Sequence, residues 1–290
     1  MKYGIKDRKG NILPVTGGQD KMLEILYRTV SGNIALKGLT APLVSRAAGR
    51  FCDSFLSAKL IPSFIKKAGI DLTEYESGYY GSFNDFFTRK IKSEARPICM
   101  NPDVLVSPCD SKLTVYKINN NSRFIIKGGN YSVSSFLRCS KLAERYNGGW
   151  FMIFRLDVSD YHRYMYIDNG YKSKNIHIKG VYHTVNPVAL EKADIYKENV
   201  REYTVLHTEN FGDVIQAEVG AMLVGKISNH HQKHKIIRGE EKGMFEYGGS
   251  TVVLIIPSDT VIPDSDILKN TRDGFETVVK MGERIGVKKG

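Results

Sequence analysis

Near the C-terminal end of the chain, Gly248-Gly249-Ser250-Thr251 runs straight into Val252, Val253, Leu254, Ile255 and Ile256, closed by Pro257. Two glycines leave the Gly249 carbonyl open to approach, and the next residue carries a hydroxyl beside it. That arrangement suits an N-to-O acyl shift, in which the Ser250 hydroxyl attacks the carbonyl of its own preceding peptide bond. β-Elimination of the resulting ester gives dehydroalanine, then a pyruvoyl group at a new N-terminus. Gly and Ser are also ordinary turn residues. Taken alone, the tetrapeptide reads first as a hydroxyl-bearing turn ahead of a buried strand.

The elements that must hold this step are mostly strand-like. Seven β-branched or aromatic segments, 113–118, 123–127, 150–156, 175–185, 203–209, 213–227 and 250–256, alternate with turns. They predict a β-rich core, a sandwich or barrel-like. Ser132 to Tyr146 and Ala189 to Asn199 interrupt it as short helices. Upstream, Lys6-Asp7-Arg8-Lys9-Gly10 reads as a hairpin turn. Met22, Leu23, Ile25, Leu26 and Val30 then fall at helical spacing, and Pro42, Leu43, Val44, Phe51, Phe55 and Leu56 continue in a second helix. A third helical stretch covers Ser82 to Lys92. The tail from Asp264 to Gly290 reads as turn-rich and polar. The expected fold is α+β: a helical N-terminal region over 1–95, docked on a β-rich core over 96–290.

With 290 residues, 42% of them hydrophobic and 25% charged, the chain can bury a substantial core and is not globally disordered. Its 42 basic against 31 acidic residues give a net charge of +11, which points to an anionic partner. The basic residues are dispersed and no nucleic-acid-binding motif is present. A membrane surface or a phosphate-bearing ligand is therefore expected, and no nucleic acid. Arg46, Arg50, Lys59, Lys66 and Lys67 among the apolar residues of the second helical region suit an interfacial helix, as well as helices packed on a core. Cys52, Cys99, Cys109 and Cys139 form no CxxC pair, which fits a reducing cytosol. The first residues lack the apolar core of a signal peptide, and no stretch approaches a membrane span. The expectation is a soluble or peripheral protein.

Further segments fall in order around the Gly-Ser step. They are Phe83-Asn84-Asp85-Phe86-Phe87-Thr88-Arg89-Lys90 with Arg96-Pro97, Ser107-Pro108-Cys109-Asp110, and Asp160-Tyr161-His162-Arg163-Tyr164. Asn186-Pro187, Asn199-Val200-Arg201, Val219-Gly220-Ala221 and Val224-Gly225 follow, and Arg238-Gly239-Glu240-Glu241-Lys242-Gly243-Met244-Phe245 leads into Gly248. Together they resemble the phosphatidylserine decarboxylases, pyruvoyl-dependent enzymes made as self-cleaving proenzymes, from about Phe83 to Pro257.

The resemblance implies cleavage between Gly249 and Ser250 into a β chain of 1–249 and an α chain of 250–290 that stay associated, with a homodimer as the assembly. Ser250 becomes the pyruvoyl cofactor, with neither metal nor pyridoxal phosphate. Its ketone forms an imine with the substrate amine and acts as electron sink for the carbanion left when CO2 departs. The substrate implied is phosphatidylserine in an anionic membrane, the product phosphatidylethanolamine, and the place the cytoplasmic face of the membrane. A relative acting on a soluble amino acid, or an uncleaved lipid-binding protein, would carry many of the same residues.

Residue by residue, the resemblance assigns Asp110 to orienting the base that activates Ser250, although Ser111 stands where the family has glycine. It assigns His162 to the decarboxylation step, delivering a proton or positioning the carboxylate. Met165 occupies the place where family members often carry the self-cleavage histidine, and a thioether takes no proton at neutral pH. His183, on the next strand-like segment, is the first candidate to replace it; Asp110 acting with water, or a chain that does not mature, are the alternatives. Asn199 and Arg201 stand in a family Asn-Glu-Arg motif with valine at its centre, and the Arg201 fork matches a substrate carboxylate or phosphate or a surface ion pair. His230, His231 and His234 have spacing that zinc could use. With no acidic or cysteine partner close by, they read as a solvated loop.

Overall fold

The computed structural model describes residues 4–14, 42–126, 129–181, 198–221, 226–246 and 250–290. Among them the strands run β1 (Gly4–Lys6), β2 (Ile12–Leu13), β3 (Val104–Val106), β4 (Ser111–Lys117), β5 (Arg123–Ile126) and β6 (Gly129–Ser132). Next are β7 (Trp150–Leu156), β8 (Arg163–Met165), β9 (Gly170–Lys172), β10 (Ile176–Ile178), β11 (Arg201–Thr208) and β12 (Gly212–Gly220). The last are β13 (Lys226–Asn229), β14 (His234–Ile236), β15 (Glu241–Glu246), β16 (Ser250–Ile256), β17 (Val261–Pro263), β18 (Phe275–Val279) and β19 (Arg284–Lys288). The α-helices are α1 (Pro42–Cys52), α2 (Ile61–Ala68), α3 (Phe83–Phe87), α4 (Val133–Leu137), α5 (Ser140–Ala143) and α6 (Ser265–Arg272).

The main sheet has the order β14-β9-β11-β12-β16-β7-β4-β18-β1-β2, with β10 also on β11. It is open at both described edges, so the core is layered rather than a closed barrel, within the α+β class expected. β16 lies at its centre, antiparallel to β12 on one side and β7 on the other. This position explains the unbroken apolar run: a central strand is covered on both faces and has no solvent side to alternate with. Val252, Leu254 and Ile256 enter one core with Phe154, Leu156, Tyr164, Met165 and Phe245. Val253 and Ile255 enter a second core with Ala217, Val219, Phe136 and Phe151. The first core is covered by two three-stranded sheets, β13-β15-β8 and β17-β19-β3. The second is covered by the β5-β6 hairpin and α4.

All seven strand-like segments contain strand, though 213–227 divides into β12 and β13 and 175–185 contributes only β10 within the described residues. The N-terminal turn is a hairpin whose first strand pairs in parallel with β18, so it extends the main sheet. The 132–146 helix breaks at Arg138, which takes a left-handed conformation. The helical patterns over 19–41 and 189–197 lie outside the described residues.

The tail departs from its turn-rich reading, for it forms α6, β18 and β19. Three of its polar residues, Asn270, Glu276 and Thr277, are buried. Glu276 on β18 is buried because the Arg155 fork holds it at 2.6 Å, and Asn270 on α6 donates to the Thr277 hydroxyl at 3.0 Å. Composition cannot distinguish such paired polar groups from solvated ones.

Candidate active site

Ser250 is the first residue of β16, directly opposite Leu156 of β7 and Gly220 of β12. It is completely buried, and among the described residues its hydroxyl has no hydrogen-bond partner. An unpartnered buried hydroxyl costs stability, a cost it shares with Thr251 Oγ1 and Ser111 Oγ. Gly248 and Gly249 lie outside the described residues.

His162 is fully buried in the turn ahead of β8, with its ring centroid 4.0 Å from that of Phe87 on α3. Nδ1–H donates to the Asp160 carbonyl at 2.9 Å, which leaves Nε2 with its lone pair and no partner. Burial, reinforced by the positive charge of Arg89, pushes the imidazole down to about 3, so the ring is neutral. The His162 carbonyl accepts from the Phe245 amide at 2.9 Å. His162 is thereby tied to the strand that leads toward Ser250.

Asp110 ends the loop before β4. Arg96 grips its carboxylate with Nε at 2.9 Å and a terminal nitrogen at 2.7 Å, and the Met281 amide adds a bond at 2.8 Å. Burial raises the carboxyl, but Arg96, Lys280 and that amide outweigh it and hold it below its ordinary value. Arg96 also reaches Glu74 at 3.0 Å. Among the described residues no histidine contacts Asp110. Met165 is close along the backbone instead, with its amide donating to the Pro108 carbonyl at 2.9 Å and its carbonyl accepting from Gln216 at 3.3 Å. His183, proposed from sequence to serve at this place, lies outside the described residues.

Behind Met165 is a buried polar cluster that sequence reading did not single out. Glu218 on β12 and Lys242 on β15 pair at 2.7 Å with neither side chain exposed. Lys242 also donates to Asn229 at 2.7 Å, and Asn229 donates to Glu202 and Glu218. The ladder between β15 and β8 slips between Glu241 and Gly243, a bulge that re-aims Lys242. Gly243 is required there, because a Cβ would stand 2.3 Å from the Ser228 carbonyl oxygen. Glu218 Oε1 is left without a partner. Glu218 pairs with Val252 and Gly220 with Ser250, so Glu218 is the diagonal neighbour of Ser250 on one face, within reach of a long side chain. Burial raises the Glu218 carboxyl despite Lys242, and burial lowers the Lys242 ammonium despite Glu218. The run Glu240-Glu241-Lys242 does not itself show which charge turns inward; the bulge does.

Asn199 and Arg201 stand elsewhere. Arg201 lies in the row Arg155–Thr251–Val219–Arg201, one step from the Leu156–Ser250–Gly220 row. Pleat alternation turns the two rows to opposite faces. The Arg201 fork donates to the carbonyls of Phe136 at 2.6 Å, Asn199 at 2.8 Å and Ser135 at 3.2 Å. Asn199 donates to the Gly220 carbonyl at 2.8 Å. Both fasten backbone around the serine's neighbour strand.

The histidine loop also differs from its reading. An acidic partner is present after all: the turn at Gly239, whose φ is +85°, folds Glu240 back beside His231 and His234. His230 instead meets Glu241 at 2.6 Å.

These features coincide with what the chain matches. The family model described as phosphatidylserine decarboxylase covers residues 83–287. The phosphatidylserine decarboxylase proenzyme 2 of Clostridium acetobutylicum is 45% identical over 265 residues, 91% of each chain. The phosphatidylserine decarboxylase proenzyme of Clostridium botulinum is 42% identical over 293 residues, 99% of each chain. That of Clostridium tetani is 40% identical over 291 residues, 99% of this chain and 97% of its own. With the family model spanning 83–287 and these relatives matched over nine-tenths or more of the chain, the chain belongs to the phosphatidylserine decarboxylase family.

Proposed function

We propose that this protein is made as a proenzyme, cleaves itself between Gly249 and Ser250, and decarboxylates phosphatidylserine to phosphatidylethanolamine. The observation that carries the reading is the Ser250 hydroxyl, buried and unpartnered at the first residue of β16 and directly preceded by two glycines. Its oxygen attacks the Gly249 carbonyl carbon, the amide C–N bond breaks as the ester forms, and the serine nitrogen takes a proton. Loss of the Ser250 α-proton then expels the Gly249 carboxylate, and water releases ammonia from the dehydroalanine to leave the pyruvoyl group.

The serine proton needs an acceptor that Met165 cannot be. Glu218 is the acceptor that register places diagonal to Ser250, and its Oε1 is unpartnered. His183 is the one the sequence suggests. Asp110, held ionised by Arg96, supplies negative charge that steadies a proton at that place. The variants Glu218→Gln and His183→Gln, scored for fragment formation, decide between the two acceptors.

Two orphaned buried atoms, Ser250 Oγ and His162 Nε2, fit a site that gains a reactive group only after processing. The pyruvoyl group, when formed, supplies the electron sink for the carbanion left by CO2. His162, neutral and with Nε2 free, accepts a hydrogen bond or a proton from the bound substrate and returns the proton to the product. Phe87 against its ring excludes water from that exchange. The two pieces stay together because β16 remains hydrogen-bonded between β7 and β12, and β18 on β4. A homodimer of such pairs is the assembly proposed.

The lipid arrives from an anionic membrane at the cytoplasmic face. Phe51, Phe55, Leu56 and Leu60 are exposed on α1 and the segment after it, with Phe55 76% exposed, beside Arg50, Lys59, Lys66 and Lys67. Exposed apolar groups with exposed lysines close in sequence suit an interface with acidic lipid. No helix among the described residues is long and apolar enough to cross a membrane. A soluble amino acid as substrate requires no such surface.

Intact mass tests the proposal. The purified chain is expected as two fragments, the smaller beginning with a pyruvoyl group at position 250, whereas Ser250→Ala stays at 32.6 kDa. A persistent full-length band in the parent, or phosphatidylserine left unconverted by cleaved protein, overturns it.

A further inference from the structure

We propose that His231 from the β13–β14 loop, His234 at the start of β14 and Glu240 from the turn between β14 and β15 form a zinc site. His234 Nε2 lies 3.0 Å and His231 Nε2 4.0 Å from Glu240 Oε1. One donor atom from each of the three residues falls within 4.8 Å of the others. Two donors on one tetrahedral zinc, each ~2.0–2.1 Å from the metal, stand roughly 3.3 Å apart. Those two separations bracket that figure, and the His231 and His234 donors lie within 4.8 Å of each other, so closure draws the two histidines together.

The surroundings hold the donors as ligands are usually held. Tyr166 Oη meets His231 Nδ1 at 3.3 Å, which directs Nε2 toward Glu240. Glu240 Oε2 accepts from the Ile237 amide at 3.2 Å, which leaves Oε1 to face the histidines. Such outer contacts fix tautomer and orientation in metal sites. The loop itself is braced: Lys172 donates to the carbonyls of His231 and Gln232, and Asn175 donates to that of His231 at 3.0 Å. The His231 and His234 rings stack with centroids 3.8 Å apart and planes 6° apart, so zinc has to turn His234 out of the stack to bring both Nε2 lone pairs onto one ion, while Tyr166 holds His231.

Two imidazoles and one carboxylate with a water in the fourth position is a zinc donor set. The site is separate from Ser250 and His162. Its consequence is mechanical, because Glu240 is followed at once by β15, which carries Lys242 and runs toward the processing step. Zinc would pin that strand's entry to Tyr166, the residue after Met165.

The test is zinc titration by calorimetry of the full chain stripped with chelator, in a thiol-free reductant, with cobalt(II) absorption as second readout. One zinc per chain and the visible bands of four-coordinate cobalt are expected. His231→Gln/His234→Gln abolishes both, and Glu240→Gln weakens zinc at least about tenfold. Tyr166→Phe weakens it about tenfold, in the range of outer-contact losses, and His230→Gln leaves it intact. Failure of the chain to take up zinc overturns the site, as does unchanged affinity in the double variant or in Glu240→Gln. These readouts do not depend on self-cleavage or decarboxylation, so the site and the proposed function fail separately.

Discussion

Lys242 Nζ stands 2.7 Å from Glu218 Oε2, and neither side chain has any exposed surface. Such a pair adds little over an apolar replacement, but losing one partner strands a charge. Lys242→Met in a Ser250→Ala background is expected to cost about 3–5 kcal/mol in urea unfolding. Glu218→Leu/Lys242→Met is expected to recover most of it. In the chain with Ser250 intact, Glu218→Gln is expected to slow fragment formation while the double apolar variant stays folded and uncleaved. If the double variant cleaves at the parental rate, the pair serves packing alone.

His162 gives a pH signature. Its imidazole sits at about 3 in the folded chain against an ordinary 6.5. Between those values the unfolded chain binds a proton that the folded one refuses. Stability is therefore whole above pH 6.5 and is lost as pH falls toward 3. From pH 7 to pH 5 this one group is expected to cost about 2 kcal/mol. His162→Gln should remove that increment from the difference between the two unfolding curves, again in the Ser250→Ala background. Equal pH slopes in parent and variant would mean the ring is solvated.

How much of this was legible in the sequence depended on what each residue's signal reports. The unbroken run Val252 to Ile256 announced a strand covered on both faces, and β16 is one. The Gly-Ser step alone read as an ordinary turn, and only the ordered segments around it pointed to its chemistry. Sheet face was beyond reach: Arg201 and Ser250 are one ladder row apart, yet the pleat turns them away from each other. Nor did charge runs show which member points inward, because the bulge that buries Lys242 is a property of pairing with β8. Glu240 met the histidines only through the turn at Gly239. Distant polar pairs such as Arg155 with Glu276 made a polar tail look like loop.

Arg201 should thus behave as a fastening residue. Its fork bridges the carbonyls of Ser135 and Phe136 on α4 to that of Asn199. Lysine cannot span all three. Arg201→Lys is expected to lose about 2–4 kcal/mol, from two or more charge-assisted bonds, and to lower the melting temperature. The KM of the surviving folded enzyme for phosphatidylserine should change little. An unchanged melting curve with KM raised tenfold or more would place the guanidinium on substrate.

The apolar residues after α1 make the last prediction, and it separates lipid from soluble substrate. Phe55 and Leu56 are 76% and 50% exposed, with Lys59 close by and Lys66 and Lys67 on α2. Burying a large apolar side chain gains about 1.5–3 kcal/mol, and each lysine near an acidic leaflet adds about 1 kcal/mol. Phe55→Ser/Leu56→Ser is expected to weaken binding to phosphatidylserine-containing vesicles by at least about tenfold, since 1.4 kcal/mol is a factor of ten. Lys59→Gln/Lys66→Gln/Lys67→Gln should weaken it comparably in low salt and much less in high salt, where screening already removes that attraction. Both variants should still cleave themselves, because none of these residues contacts β15, β16 or His162 in the interactions described above. Loss of turnover on vesicles with retained turnover on detergent-dispersed substrate would mark the surface as the route from the membrane. Equal vesicle binding by parent and variants would instead make this an ordinary solvent face and favour a soluble substrate.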